Sequence, residues 1–202
     1  MGATTRNVVR DIGGSNVSAL EQEVSALRQE LRLLQLANEE LERLVVRDTL
    51  TPLYNRRYFI NSLDERLSRL ARYGTQAALI FIDVNAMKRI NDRFGHSAGD
   101  YALIHIGRLL SGAIRAADVA ARVGGDEFAL LLDGLGEAAA MEKADQLARL
   151  VSETECRFGG ALLPLSIAVG CTALRHDDND FSAIARADMA MYAVKPLSHS
   201  EC

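Results

Sequence analysis

The sequence predicts an α/β sandwich, in which one central β-sheet is flanked by helices and a long helical segment precedes it. Two observations support this prediction. Short apolar runs alternate with helical patterns after residue 48, and a heptad repeat fills the region before it. A chain of 202 residues is long enough for one globular domain plus an extension.

The elements of the globular part follow from hydrophobic periodicity and turn residues. Helical patterns cover residues 57–72, 98–114, 137–153 and 181–194. Runs of strand type cover residues 77–83, 118–123, 128–132 and 163–172. Because a Gly-rich turn joins the second and third of these runs, they predict a β-hairpin.

The N-terminal region carries a coiled-coil pattern after a polar start, residues 1–16, that we expect to be disordered. Positions a hold Val17, Val24, Leu31, Asn38 and Val45, and positions d hold Leu20, Leu27, Leu34 and Leu41. Valine at a with leucine at d favours a parallel dimer, and a single Asn at a fixes its register. We therefore predict a parallel dimeric coiled coil over residues 17–47. The alternative is a lone amphipathic helix lying on its own domain.

Composition excludes several classes of protein. The net charge of −4 argues against a basic face that grips nucleic acid, but it permits a nucleotide substrate whose charge a metal ion neutralises. No apolar run has the length of a membrane span, and the first residues lack a signal-peptide core. The scattered cysteines, Cys156, Cys171 and Cys202, have no metal-ligand spacing. These features predict a cytoplasmic protein with reduced thiols.

The turn of the predicted hairpin carries Gly124, Gly125, Asp126 and Glu127. Glycine tolerates positive φ and allows the close approach of a ligand, while adjacent carboxylates can hold a divalent ion. An ordinary solvated hairpin turn is the alternative. Asp83 ends an apolar run, so it would converge with Asp126 if the two strands were neighbours. Taken alone, Asp83 is better explained as a helix cap.

The segment that follows Asp83 is unusually rich in polar functional groups. Lys88 can contact phosphate, whereas Asn91 and Asp100 can bind the polar edge of guanine. The alternative is that these are surface turn residues, because Asn, Asp and Gly all favour turns.

Together these motifs resemble the diguanylate cyclase, or GGDEF-domain, family. The resemblance is carried by residues 48–57, 83–100, 124–128 and 187–195, which occur in the family's order. It implies a domain over residues 48–197, with a short tail over 198–202. It also implies a mainly antiparallel sheet, like the palm of nucleotide cyclases and polymerases. The implied reaction condenses two GTP into cyclic di-GMP with release of two pyrophosphates, across a homodimer of half-sites.

The resemblance also implies roles for single residues. Asp83, Asp126 and the Val84 carbonyl would bind metal, two Mg²⁺ (or Mn²⁺) per active site. Glu127 would bind the second metal or help to remove the hydroxyl proton. The remaining implied roles are phosphate contact by Lys88 and Lys195, guanine recognition by Asn91 and Asp100, space for substrate at Gly124 and Gly125, and stabilisation of charge at phosphorus by Arg122. His96 is placed with the substrate-binding residues, although ordering of the turn is its favoured role.

Arg115 and Asp118 resemble the family's product-inhibition site, in which an Arg-x-x-Asp pair binds cyclic di-GMP. An Arg can donate to guanine or phosphate and an Asp can accept from the base. The alternative is a salt bridge at the end of a helix. The offset of this pair from Gly124 favours product binding.

The chain departs from the family pattern at several positions. They are Pro52 for Gly, Asn85 for Asp, Met87 for Phe, an exchange of Gly and Ala at Ala168 and Gly170, and His199 where an Arg is usual. None removes a carboxylate that the chemistry needs.

Two alternatives remain open: a degenerate module that binds GTP or cyclic di-GMP without catalysis, and a coiled-coil dimerisation protein with a passive cap. The input signal, from an upstream sensor or a partner protein, is not legible.

Overall fold

The computed structural model describes residues 21–37, residue 41 and residues 46–194, and the structural statements below concern these residues. They fall into two units, divided between residues 45 and 46. In the first unit, helix α1 covers residues 21–37. Its seam residues Val24, Leu27, Leu31 and Leu34 are exposed. Leu41, a further seam residue, is also exposed. The predicted seam positions 17, 20, 38 and 45 lie outside the described residues, and the coiled coil stays a prediction.

The second unit is built on a five-stranded sheet with strand order β1-β3-β4-β2-β7. Its strands are β1 (Tyr54–Asn55), β2 (Ala77–Val84), β3 (Val119–Arg122), β4 (Glu127–Asp133) and β7 (Ile167–Ala173). Only β1 and β3 pair in parallel; the other neighbours are antiparallel. Strands β5 (Cys156–Phe158) and β6 (Ala161–Leu163) form a separate hairpin. The predicted fold class, with its mainly antiparallel sheet, is confirmed.

Helices cover both faces of the sheet. They are α2 (Arg56–Tyr73), α3 (Met87–Phe94), α4 (His96–Gly112), α5 (Glu137–Glu153) and α6 (Asp180–Val194). Alternate residues of β2 enter two separate cores: Ile80 and Ile82 pack with α3, α4 and α5, whereas Leu79 and Phe81 pack with α2 and α6. A strand buried on both faces reads as a continuous apolar run, which is why β2 was predictable.

The structure corrects two element predictions. The polar segment after Asp83 forms helix α3, which ends at Gly95 with φ of 86°, and α4 begins at His96 rather than at about residue 98. The strand predicted over 163–172 is divided, because β6 ends at Leu163 and β7 starts at Ile167. Pro164 lies in the gap and has no N–H to donate to a ladder.

The exchange of alanine and glycine in β7 has a structural reason. A Cβ atom on Gly170 would lie 2.1 Å from the Met191 nitrogen and 2.3 Å from the Ala187 carbonyl oxygen. The backbone of α6 therefore rests directly on the strand at Gly170, and no larger residue fits there without moving the helix. Ala168 is buried nearby with its Cβ accommodated.

Candidate functional site

The turn between β3 and β4 brings the predicted carboxylates to one edge of the sheet. Strands β2 and β4 are neighbours, and Asp83 pairs directly with Glu127 in their ladder. The Val84 amide donates to the Asp126 carbonyl oxygen over 3.0 Å. Asp83, Val84, Asp126 and Glu127, the four predicted metal ligands, therefore lie together at one strand end.

The two glycines of this turn have different tasks. A Cβ on Gly124 would lie 2.1 Å from Glu127 Oε2, so its smallness makes room for that carboxylate. A Cβ on Gly125 would meet nothing within 4 Å, which leaves open space for a ligand. Neither glycine has a left-handed φ. The turn therefore uses the small size of glycine and not the positive φ considered from the sequence.

Glu127 lies in a strongly negative environment. Burial raises the pKa of its carboxyl group, and the charges of Asp126, Asp83 and Asp188 raise it further, against a lowering by Arg56. Asp188 of α6 and Arg56 of α2 were not singled out as site residues from the sequence, although both lie in segments that carried the resemblance. The sheet edge is thus enclosed by acidic groups from three elements.

This donor set fits a divalent cation. The groups at the edge are oxygen donors with excess negative charge, the type that Mg²⁺ prefers. A cation would relieve the repulsion that raises the pKa of Glu127. Within the described part of the chain, no three His, Cys, Asp or Glu side chains stand close enough to form a ready-made metal cluster.

Arg122 braces the turn from one side. Its Nε and Nη2 atoms donate to the Gly125 carbonyl oxygen over 3.1 and 2.6 Å, and Nη1 lies 3.4 Å from Asp48 Oδ1. The same Asp48 oxygen accepts from the Thr51 amide and hydroxyl. Burial alone would raise the pKa of Asp48, but the bonds from Thr51 and the Arg122 charge outweigh it and lower that pKa. Arg122 thus holds the tip of the turn, and its role at phosphorus stays a prediction.

Arg56 holds the turn from another side. Its Nη1 atom donates to the Val123 carbonyl oxygen over 3.2 Å. Because Arg56 is the first residue of α2, this bond fastens that helix to the turn.

The predicted guanine and phosphate residues lie on α3 and α4. Asn91 is half-buried, and a Cβ on Gly99 would lie 1.9 Å from its Oδ1 atom. The Asn91 side chain therefore rests on Gly99, next in the chain to Asp100, which is exposed. Lys88 in the first turn of α3 and His96 at the start of α4 are also exposed. Lys195 lies outside the described residues.

Asn85, where the family usually has Asp, fastens the end of β2 to the segment before β7. Its Nδ2 atom donates to the Ser166 hydroxyl over 3.1 Å, and its amide donates to the Ser166 carbonyl oxygen over 2.9 Å. A carboxylate has no hydrogen to donate to Ser166 at neutral pH. Asn85 thus donates to Ser166, whereas an Asp at this position could only accept a hydrogen bond from the Ser166 hydroxyl.

Arg115 and Asp118 lie in the loop between α4 and β3. Asp118 Oδ2 accepts from the Arg115 amide over 3.0 Å, and Asp118 Oδ1 accepts from the Asp133 amide over 3.1 Å. Within the described residues no ion pair joins the two side chains, so the alternative of a helix-end salt bridge is not supported. Arg115 is exposed, and both residues border a cavity of about 250 Å³. A larger cavity of about 840 Å³, beside Asn85 and Arg89, includes none of the predicted site residues.

The chain is similar to known proteins over the unit that carries the site. A family model described as "Diguanylate cyclase, GGDEF domain" matches residues 45–200. The diguanylate cyclase TpbB of Pseudomonas aeruginosa is 35% identical over 193 residues, which are 93% of this chain and 44% of TpbB. The response regulator PleD of Caulobacter vibrioides is 33% identical over 155 residues, which are 75% of this chain and 34% of PleD. The chain thus spans less than half the length of either relative.

Solved structures agree with the fold. The GGDEF domain of TpbB from Pseudomonas aeruginosa superposes with a TM-score of 0.69 at 38% identity, covering 73% of this chain and 87% of that one. The coiled coil and GGDEF domain of DgcB from Caulobacter crescentus, in complex with c-di-GMP, gives a TM-score of 0.79 at 24% identity, covering 87% and 93%. The second likeness shows the fold alone. Of the helices described here, none is both long and apolar enough to cross a bilayer.

Proposed function

The chain belongs to the GGDEF family of diguanylate cyclase domains, and we propose on this premise that it condenses two GTP into cyclic di-GMP and two pyrophosphates. One observation carries the proposal. Asp83 pairs with Glu127 across β2 and β4, and Asp126 lies beside them at the same edge. Three carboxylates that the proposed reaction would use are therefore present at one edge of the sheet.

The proposed chemistry relies on position and charge. Asp83, Asp126, Glu127 and the Val84 carbonyl would hold two Mg²⁺ (or Mn²⁺), which supply positive charge next to the reacting phosphates. The alternative role of Glu127 is removal of the proton from the attacking 3′-hydroxyl, which its raised pKa suits as long as no cation lies against the carboxylate. Gly125 leaves the space in which the triphosphate would approach the turn.

We assign nucleotide recognition to the corner between α3 and α4. Asp100 would accept from guanine N1 and N2, groups that adenine cannot match, and Asn91 would bind the same base. Lys88 would contact the terminal phosphates together with Lys195. GTP is therefore the proposed substrate in preference to ATP.

The reaction needs two half-sites, because each GTP attacks the other. The exposed seam of α1 supports dimerisation through a parallel coiled coil, which would supply the second half-site at high effective concentration. We also propose that cyclic di-GMP inhibits the enzyme by binding Arg115 and Asp118, which border an open cavity.

Incubation of the protein with GTP and Mg²⁺, with chromatographic detection of cyclic di-GMP, tests the proposal. Asp126→Ala should abolish product formation, whereas Asp64→Ala, at an exposed carboxylate of α2, should leave it unchanged. Arg115→Ala should relieve product inhibition. GTP binding without turnover would instead support the degenerate module, and neither binding nor turnover would support the passive cap.

A further inference from the structure

The loop that carries Arg115 and Asp118, here called the product loop (residues 113–118), is fastened by its neighbours. At its start, Lys143 Nζ of α5 donates to the Ala113 carbonyl oxygen over 2.6 Å. At its end, Asp118 Oδ1 accepts from the amide of Asp133, the last residue of β4. The orientation of the Asp118 carboxylate thus depends on where Asp133 lies.

Asp133 is in turn held by Arg66, a buried arginine in the middle of α2. Arg66 is 7% exposed, and its Nε atom lies 2.8 Å from Asp133 Oδ1, without the alignment of a hydrogen bond. Its Nη2 atom lies 3.4 Å from Asp133 Oδ2 and donates to the Ala117 carbonyl oxygen over 3.1 Å. Its Nη1 atom donates to the Ser62 carbonyl oxygen. One guanidinium therefore joins α2, the end of β4 and the product loop.

This arrangement is specific to arginine. The rigid planar fork donates in several fixed directions, whereas a lysine carries one ammonium on a flexible stem. A buried ion pair is weak evidence for added stability, because desolvation offsets most of the attraction between the charges. The geometry instead supports a positioning role, because Arg66 contacts Ser62, Ala117 and Asp133 at once.

We propose that Arg66 is a positioning residue for product inhibition. It fixes the Ala117 carbonyl directly and the Asp118 carboxylate through Asp133, in the arrangement in which Arg115 and Asp118 bind cyclic di-GMP. The inference rests on the product site of the proposed function. Arg66 does not contact the product itself, since its guanidinium is buried beneath the loop.

Two variants of Arg66 and one control test the inference on the full chain. Arg66→Met removes the fork and the charge, whereas Arg66→Lys keeps the charge beside Asp133 but not the reach to Ala117 and Ser62. Arg72→Met removes an exposed arginine from the last turn of the same helix and serves as the control. Titration calorimetry with cyclic di-GMP gives the affinity, and initial rates give the inhibition constant and the kcat without product.

Both Arg66 variants should weaken product affinity by about tenfold, the usual scale of coupling between contacting residues, with kcat changed less than about twofold. Lysine should restore thermal stability relative to methionine without restoring product affinity. Should Arg66→Met not fold, Arg66→Lys decides the question alone. Wild-type affinity in Arg66→Lys overturns the inference. Failure of the wild-type chain to bind cyclic di-GMP overturns the proposed product site as well. Failure of the role of Arg66 alone can thus be told apart from failure of the product site.

Discussion

Gly124 shows how a single residue can determine the geometry of the turn between β3 and β4. Its place is set by Glu127, whose carboxylate occupies the volume that a side chain at 124 would need. A Cβ added to Gly125 beside it would meet no protein atom within 4 Å. The two adjacent glycines therefore have different roles. Gly124 leaves room for the Glu127 side chain, whereas Gly125 leaves room for a ligand.

Gly124→Ala should reduce kcat by at least about tenfold, because the new methyl group displaces the Glu127 carboxylate from its position. Gly112→Ala, at the open end of α4, is the matched control and should retain wild-type kinetics. Steady-state kinetics with GTP and Mg²⁺ provide the measurement. Unchanged kcat in Gly124→Ala would show that the position of Glu127 is not critical.

Asp100→Ala should raise KM for GTP by about tenfold or more, because a hydrogen bond to a charged group contributes about 1.5–3 kcal/mol. The KM for ATP should change little, so that the preference for GTP falls. Competition between the two nucleotides at equal concentration measures this preference. A variant that keeps the wild-type selectivity would remove Asp100 from base recognition.

At the scale of elements, α6 depends on an ionic contact at its beginning. Asp178 accepts hydrogen bonds from Arg186, from the Arg175 amide and from the Ser182 hydroxyl. Its side chain is 3% exposed. Burial alone would raise the pKa of Asp178, but these bonds and the Arg186 charge outweigh it, so the pKa lies below its ordinary value of 3.8.

A carboxyl group whose pKa is lowered by folding stabilises the protein above its unfolded value and loses that contribution as pH falls through the folded one. Asp178→Asn should therefore lower the free energy of unfolding by about 2 kcal/mol at pH 7. The difference from wild type should shrink below pH 3.8. Urea unfolding at several pH values measures it, and a difference independent of pH would contradict the role of the ionised group.

The elements differ in how well their sequences predicted them. The helix predicted over 137–153 has these bounds in the structure, and β2 was recognised because an apolar strand between two cores has no polar face. Helix α3 was missed because only Met87 and Ile90 of its eight residues are buried, too few to show a helical period. The β5–β6 hairpin was missed because its strands have three residues each, and its turn of Gly159 and Gly160 is the signal that remained.

The residues of the candidate site also differ in how well the sequence predicted them. Motifs identified Asp83, Asp126 and Glu127. The sequence predicted that Asp83 and Asp126 would converge if their strands were neighbours, and β2 does pair with β4. The charge of Asp188 on Glu127 depends on how α6 crosses the sheet, a relation between segments far apart in sequence. The contacts of Arg66 likewise join α2 to the product loop and to the end of β4. Single-sequence patterns do not carry contacts of this range.

For the whole molecule, the coiled-coil prediction can be separated from simple surface hydrophobicity. Leu27 and Leu34 occupy seam positions, whereas Leu33 and Leu36 lie off the seam and are exposed to a similar extent, 60% and 55% against 57% and 62%. The chain therefore contains its own matched control for dimerisation.

Leu27→Glu with Leu34→Glu should convert the protein to monomers and lower specific activity at dilute protein, because charges at the seam oppose association. Leu33→Glu with Leu36→Glu should leave both properties unchanged. Sedimentation velocity and cyclase assays over a range of protein concentration measure the effect. Equal activity of the two double variants at every dilution would show that catalysis does not depend on the seam residues.

The central position of β2 has a consequence for motion. Asp83 lies in a strand that is hydrogen-bonded to β4 on one side and to β7 on the other, with helices over both faces. Backbone amides in such a strand exchange with solvent only when the whole domain opens. We therefore expect the carboxylate at its end to be held by one of the most slowly exchanging strands of the second unit, so that adaptation to the substrate comes from the side chains and loops around it.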